Sequence, residues 1–431
     1  LEKDLRERVV GRHFMAPLNS DTEDGYLSGC WAVSQFLFDG PEVDRGFRTL
    51  FEGYDSLSYD TRRALLEAVY AVAARRYDTS VAAVMDGERD ARLFTLCAAY
   101  LYRDDPTVER ANALKIRMVE LFPGYDTIPL LQEFAVYAGH SDQGDRRPDI
   151  RTLLHYRGMS GQKTIYSFQR QDRDYAGLAV VQNADGSWVR DGQGRLQVFE
   201  QLARSGPALP YFLTNGNTPQ GIYSIQGTDV SRTNFIGPTP NLQLLLPFEK
   251  GWGQYFHLPE AAGAEAAGGV AAGSGSAGAG VSAADDTASA VSPGVAGAKG
   301  IGAASVASAG AGIDSLGLYL GLLPPEWREY APMREAWAAG HIGRTEIIAH
   351  GTTIDPEYYR GRPFYPLTPT MGCLCAKELW NPTSGHLLVS EQNNLVNAFL
   401  STPGRQGFLL VIDVDHQHRP VSRAEVEAWI K

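Results

Sequence analysis

Two residues in the C-terminal third have types and settings suited to covalent chemistry: Cys373 in Thr370-Met371-Gly372-Cys373, and His350 in His350-Gly351-Thr352. A free cysteine, with a pKa of about 8.5, is only a few per cent thiolate at neutral pH, so a nucleophilic role requires an imidazole to take or share its proton. Glycine before Cys373 lets the backbone amides at and beside the cysteine approach a substrate carbonyl closely, which an oxyanion site requires. His350 ends an apolar run and is followed by glycine, a setting that puts its ring at a sheet edge facing a cleft. The remaining thiols read differently. Cys30 and Cys97 lie in apolar, helical surroundings and read as core residues. Cys375 reads first as a filled core position, with a supporting or resolving thiol as the alternatives; a bridge to Cys373 across one residue would be strained. Four cysteines are too few for a disulfide scaffold in a chain of 431 residues. His416 and His418, with Asp413 and Asp415, lack any further ligand spacing and read as exposed tail residues, not a metal site.

The elements that must position these residues fall into two groups. Roughly residues 1–150 read as a helical domain. Leu65, Leu66, Val69, Val72 and Ala73 recur at helical spacing with Asp60 as a cap, and Leu93 to Tyr102 is apolar enough for a central helix. A further helix starts at Asp105-Pro106 and stops at Pro123-Gly124, and another runs from Ile128 to Ala138. The polar run from Ser141 to Arg147, ending in Pro148, marks the boundary. From about residue 160 to 431 the chain is β-rich. Strands are expected over Lys163 to Phe168, Gly177 to Gln182, Leu209 to Leu213, Gly221 to Ile225, Leu242 to Leu246, Thr345 to Ala349 and Phe408 to Val414. The fold class is therefore α+β. Residues 261–312, built mostly of Ala, Gly, Ser and Val without amphipathic period, read as a disordered insertion. Closing a loop of that length adds little free energy, about 0.6 kcal/mol per doubling, so the β-type stretches on either side read as one domain, with two domains joined by a linker as the alternative.

Composition narrows the function classes. A net charge of −11 argues against nucleic acid as a partner, since a basic stripe is needed to meet phosphates. No uninterrupted apolar run reaches the roughly 18 residues of a membrane span. The chain begins at Leu1 without a charged-then-apolar segment, which fits a removed targeting segment or a trimmed chain equally.

Taken in order, Thr218-Pro219-Gln220-Gly221-Ile222-Tyr223-Ser224-Ile225, then His350-Gly351-Thr352, then Thr370-Met371-Gly372-Cys373 resembles the L,D-transpeptidase (YkuD-type) family, over residues 163 to 415 less the insertion. The resemblance implies a catalytic domain in which Cys373 is the nucleophile and His350 the general base. It also implies that the Gly351 carbonyl orients the imidazole and that the amides of Gly372 to Leu374 form the oxyanion site. It further implies peptidoglycan stem peptides as partners, acyl transfer through a thioester, a place in the cell envelope, and no metal or cofactor. Three features depart from the family pattern. Met371 stands where histidine is usual, Cys375 stands where arginine is usual, and the stretch from His350 to Thr370 is longer. Thr370, Met371, Lys377, Arg360, Arg362 and Tyr359 are the candidate substrate contacts; of these Tyr359, Arg360 and Arg362, with Tyr358 and Tyr365, would form a lid whose cations meet a stem-peptide carboxylate. Arg360, Arg362 and Lys377 read first as solvated surface charges. Hydrolysis alone, as in an L,D-carboxypeptidase, is the alternative activity; a non-catalytic wall-binding scaffold is the alternative class.

Overall fold

A computed structural model describes residues 2–139, 147–231, 236–258, 314–353 and 357–431 of the chain. Within the first 139 residues, apolar side chains at helical spacing build a bundle around the Ala91–Arg103 helix, whose residues 93 to 102 are all buried. Its side chains pack with Phe14, Phe47, Leu65, Val69, Leu131 and Phe134 in one core. Two caps differ from expectation. The Tyr59–Val72 helix is capped by Ser58, whose Oγ accepts the Thr61 amide at 3.3 Å, because Ser58 has the extended backbone that a cap needs and Asp60 lies inside the first turn. The Val108–Leu121 helix is capped by Thr107, two residues later than Asp105, since Pro106 holds the residue before it out of helical geometry.

Ten strands follow among the described residues: β1 (Lys163–Gln169), β2 (Gly177–Gln182), β3 (Phe199–Leu202), β4 (Gly221–Val230), β5 (Pro240–Leu245), β6 (Ile348–Gly351), β7 (Leu374–Ala376), β8 (Glu378–Trp380), β9 (Leu387–Ser390) and β10 (Gly407–Asp413). Eight close into a barrel in the order β1-β10-β4-β5-β6-β7-β3-β2, while β8 and β9 form a separate two-stranded sheet. Alternation along the strands explains their unbroken hydrophobicity. Ile165, Leu409 and Val411 face a core that also holds Leu395 and Phe399 of the Glu391–Leu400 helix. Tyr166, Phe168, Leu410 and Ile412 face the opposite core, with Leu153, Leu154 and Trp327. The architecture is thus mixed helix and sheet. Strands β5 and β6 pair antiparallel although residues 259–313 separate them, so both β-type stretches belong to one barrel. The expected disorder of 261–312 and most of the 141–147 boundary fall outside the described residues.

Two stretches depart from a β-rich reading. Leu209 to Leu213 is a run of turns and not a strand. Pro210 supplies no amide for a ladder, Ala208 and Asn215 have positive φ, and the Leu213 and Gly216 amides close tight turns on Pro210 and Leu213. Leu209, Phe212 and Leu213 instead enter the helical core. Residues 315 to 342 are also largely helical, with helices at Ser315–Gly321, Pro325–Arg328 and Glu335–Ile342.

Glu335 opens the last of these helices against the barrel. Its two oxygens accept the Gln220 backbone amide at 2.8 Å and the Gln220 side-chain amide at 3.2 Å. Burial, joined by the Asp413 carboxylate, pushes the Glu335 carboxyl up to about 8. A carboxyl whose folded pKa is raised favours the folded state fully below its unfolded value of about 4.5, and that contribution is lost as pH rises through about 8. Glu335→Gln removes the ionisation. The variant is therefore expected to hold its urea midpoint between pH 5 and 8 where the natural protein loses roughly 3 to 4 kcal/mol, and to be slightly less stable at pH 4.5 for want of one acceptor. Parallel midpoint curves for the two proteins would refute this.

Candidate active site

Strands β6 and β7 run parallel with Ala349 opposite Leu374, His350 opposite Cys375 and Gly351 opposite Ala376. Partners across such a ladder project to the same face, and alternate residues along each strand share that face. Cys375 therefore lies directly beside His350, and Cys373, two residues earlier, is on the same face one step towards the start of β6. Cys373 and His350, 23 residues apart in the chain, lie at the paired β6 and β7, but the Cys373 sulfur sits against Ile348 and Glu346 and no hydrogen bond joins it to His350 among the described residues.

The imidazole is held by one bond. His350 Nδ1 lies 2.8 Å from the Gly351 carbonyl oxygen, and because a carbonyl can only accept, Nδ1 carries the proton. Nε2 is thereby the basic nitrogen, and no hydrogen bond joins it to the Cys373 sulfur or to another group among the described residues. His350 is 5% exposed, and burial lowers its pKa below 6.5, with the Gly351 bond acting weakly in the other direction. Gly351 has no freedom to carry a side chain, because a Cβ there would collide with the buried carboxyl of Glu378, whose Oε1 accepts the Ser390 hydroxyl at 2.6 Å.

The turn before β7 is clamped by two hydroxyls. Thr370 Oγ1 accepts the Gly372 amide at 3.1 Å and donates to the Cys373 carbonyl at 2.8 Å. Thr218 Oγ1, fully buried, donates to the Gly372 carbonyl at 2.9 Å and lies 3.3 Å from that of Cys373. Gly372 has φ of +120°, and a side chain there would strike Arg344 Nη2. The Gly372 amide is thus already engaged and the Leu374 amide belongs to the β6–β7 ladder, which leaves Cys373 as the expected oxyanion donor. Since the Gly372 carbonyl points at Thr218, the Cys373 N–H across the same planar peptide points the opposite way.

Cys373 is partly exposed, and its Sγ lies 3.5 Å from the Ile348 amide and 3.7 Å from the Glu346 carbonyl. Burial pushes the thiol up to about 11; the Ile348 amide and the Arg344 charge pull against this, and the Glu346 carboxylate adds to it. Thiol and imidazole are both neutral at rest. Cys375 is fully buried among Leu202, Tyr359, Phe364 and Leu367, with Sγ 3.3 Å from Thr368 Oγ1 and its thiol pushed up to about 12 by burial. All four cysteines are free thiols.

The remaining candidates are not gathered at the thiol. Met371 is 51% exposed. Lys377 Nζ is paired with Glu200 at 2.9 Å, and Arg360 Nε with Glu357 at 2.8 Å. Arg362 is exposed, and Tyr359 is buried with its hydroxyl donated to the Gln35 carbonyl at 2.6 Å, tying the 357–367 loop to the helical bundle. Tyr358 packs edge-on to Phe36 at 4.8 Å between ring centres, on the same seam. A cavity lined by Glu200, Tyr365, Leu367, Glu391 and Arg423 does not include Cys373 or His350. Asp415 and His418 are committed to Arg170 and Asp172, and no cluster of three or more metal-ligating side chains occurs among the described residues.

Sequence reasoning missed Arg344 and Glu378, and used Thr218 only as part of a motif. Glycine at 343 with φ of +97° reads simply as a helix end, and nothing local marks the following arginine as buried. The fold and site together define a mixed barrel with a thiol and an imidazole on neighbouring strands. Comparison with protein-family models, curated proteins and solved structures finds no match for this chain.

Proposed function

We propose that the chain is a cysteine-dependent acyltransferase of the L,D-transpeptidase type, acting on peptidoglycan stem peptides in the cell envelope. The observation that carries this reading is the His350 ring, fixed through Nδ1 with Nε2 left basic, on the same sheet face as Cys373. In the proposed cycle the Cys373 proton passes to His350 Nε2 as Sγ attacks the carbonyl that joins the diamino acid of a tetrapeptide stem to its terminal D-Ala. The oxyanion forms where the Cys373 amide points. Collapse expels D-Ala, whose amine takes the proton back from Nε2, and the thioester passes to an amine on a second stem. A neutral thiol–imidazole pair suits this sequence, because the proton moves as the bond forms and no thiolate need persist in a partly buried site.

Incubation of the protein with disaccharide-tetrapeptides, followed by mass spectrometry of the products, tests the assignment. Expected are dimers with 3→3 cross-links and a covalent carbapenem adduct on the peptide containing Cys373. Tripeptides alone would redirect the reading to hydrolysis, and neither product nor adduct would favour a scaffold.

A further inference from the structure

Arg344 follows the Glu335–Ile342 helix and is only 7% exposed. Its Nη2 donates to the Gly216 carbonyl at 3.0 Å, and its Nη1 donates to the carbonyls of Asn217, at 3.1 Å, and Tyr211. These acceptors are dipoles, not charges. The ionisable groups that act on Arg344 are Tyr223 and Cys373, and no carboxylate is among them. A buried guanidinium without an anionic partner is costly, and such groups are ordinarily paired. It also remains charged at neutral pH, since burial brings it down only to about 10.

Its placement accounts for the missing anion. Nη2 fills the space that a side chain on Gly372 would take, so the cation rests against the residue that precedes Cys373. The segment supplying its three carbonyl partners is itself braced by the helical bundle. Leu209, Phe212 and Leu213 are part of that core, Tyr211 donates its hydroxyl to Glu133, Arg92 Nη1 donates to Thr214 at 3.0 Å, and Asn215 donates to Glu67 at 3.0 Å.

We propose that Arg344, held rigid by the segment 211–217 and through it by the helical bundle, is the fixed countercharge for the anion that develops at Cys373. This rests on Cys373 being the reactive thiol of the proposed function, and does not depend on the substrate. Arg344 acts here as a positioning residue, favouring the charged form of the sulfur while His350 takes the proton. The opposing group is the Glu346 carboxylate on the same loop; Tyr223 on β4 acts on Arg344 and Cys375 on β7 acts with Cys373, while His350 stands on the neighbouring β6.

The test follows the pH dependence of Cys373 alkylation by iodoacetamide in the full chain, with adducts located by peptide mass. Arg344→Met is expected to move the midpoint up by about one unit, so that the rate at pH 7 falls about tenfold, while Arg344→Lys recovers most of it. A purely structural role would leave the midpoint in place. Cys30, Cys97 and Cys375 report folding, because they stay unalkylated only while buried. An unmoved midpoint in a folded Arg344→Met protein overturns the proposal. If that variant does not fold, the natural protein decides: anionic iodoacetate, relative to neutral iodoacetamide, is expected to react several-fold faster at Cys373 than at glutathione, and an equal or lower ratio overturns the proposal. A shifted midpoint without 3→3 products would remove the substrate assignment and leave Arg344 in place; products with an unmoved midpoint would do the reverse.

Discussion

Cys373→Ala is expected to abolish both the 3→3 cross-linked products and the carbapenem adduct, while Cys375→Ala retains them within about threefold. The two thiols are two residues apart on one strand face, yet their settings separate them. Sγ of Cys373 lies at a partly exposed turn against the Ile348 amide, whereas Cys375 is sealed among Leu202, Phe364 and Leu367. A buried thiol with its pKa pushed to about 12 has neither access to a peptide nor a route to ionise. Removing the nucleophile leaves only binding and oxyanion stabilisation, so a loss of at least 10³-fold is expected. Cys375→Ala trims one buried atom, for about 1 kcal/mol of stability, with little effect on rate. The reverse outcome, with Cys375 required and Cys373 dispensable, would move the nucleophile to the thiol directly beside His350.

The second large effect belongs to His350→Gln, read as the rate of carbapenem acylation against pH. In the natural protein the imidazole is neutral at pH 7 because burial holds its pKa below 6.5, so acylation should be flat from about pH 6.5 upwards and fall only below that, as Nε2 becomes protonated. Glutamine at 350 can donate or accept a hydrogen bond but cannot take the proton. Reaction must then wait for thiolate formed by free ionisation, and with the thiol at about 11 only about one molecule in 10⁴ carries it at pH 7. The rate at pH 7 is expected to drop by about 10² to 10⁴, and the residual rate to climb about tenfold per pH unit towards 11. A variant that kept the flat profile of the natural protein would show that His350 is not the base.

Much of the scaffold was legible from local pattern. The helical first third and the strands around Lys163, Gly177, Gly221 and Phe408 follow from periodicity and turn residues within stretches of about ten residues. Where prediction slipped, a contact distant in sequence had overridden local preference. The run Leu209 to Leu213 is apolar enough for a strand, but its side chains belong to the helical core, and the turns around Pro210 deliver them there. Of the proposed site, Cys373, His350, Gly351 and Gly372 were visible as residue types beside glycines. The candidate cations were not placed at the thiol: Lys377 and the lid residue Arg360 found carboxylates close by instead.

What the sequence determined by itself is which residues could react and in what order the elements follow, because side-chain chemistry and backbone preference are local properties. Which groups surround the sulfur was decided only by the tertiary structure. Thr218 reaches the Gly372 carbonyl from 154 residues away, Gly216 and Asn217 hold Arg344 from 128 and 127 residues away, and Glu378 presses on Gly351 from the following sheet. Burial and hydrogen bonding depend on which strands become neighbours, and that choice is made by closing a barrel in which the order of strands in space is not their order in the chain.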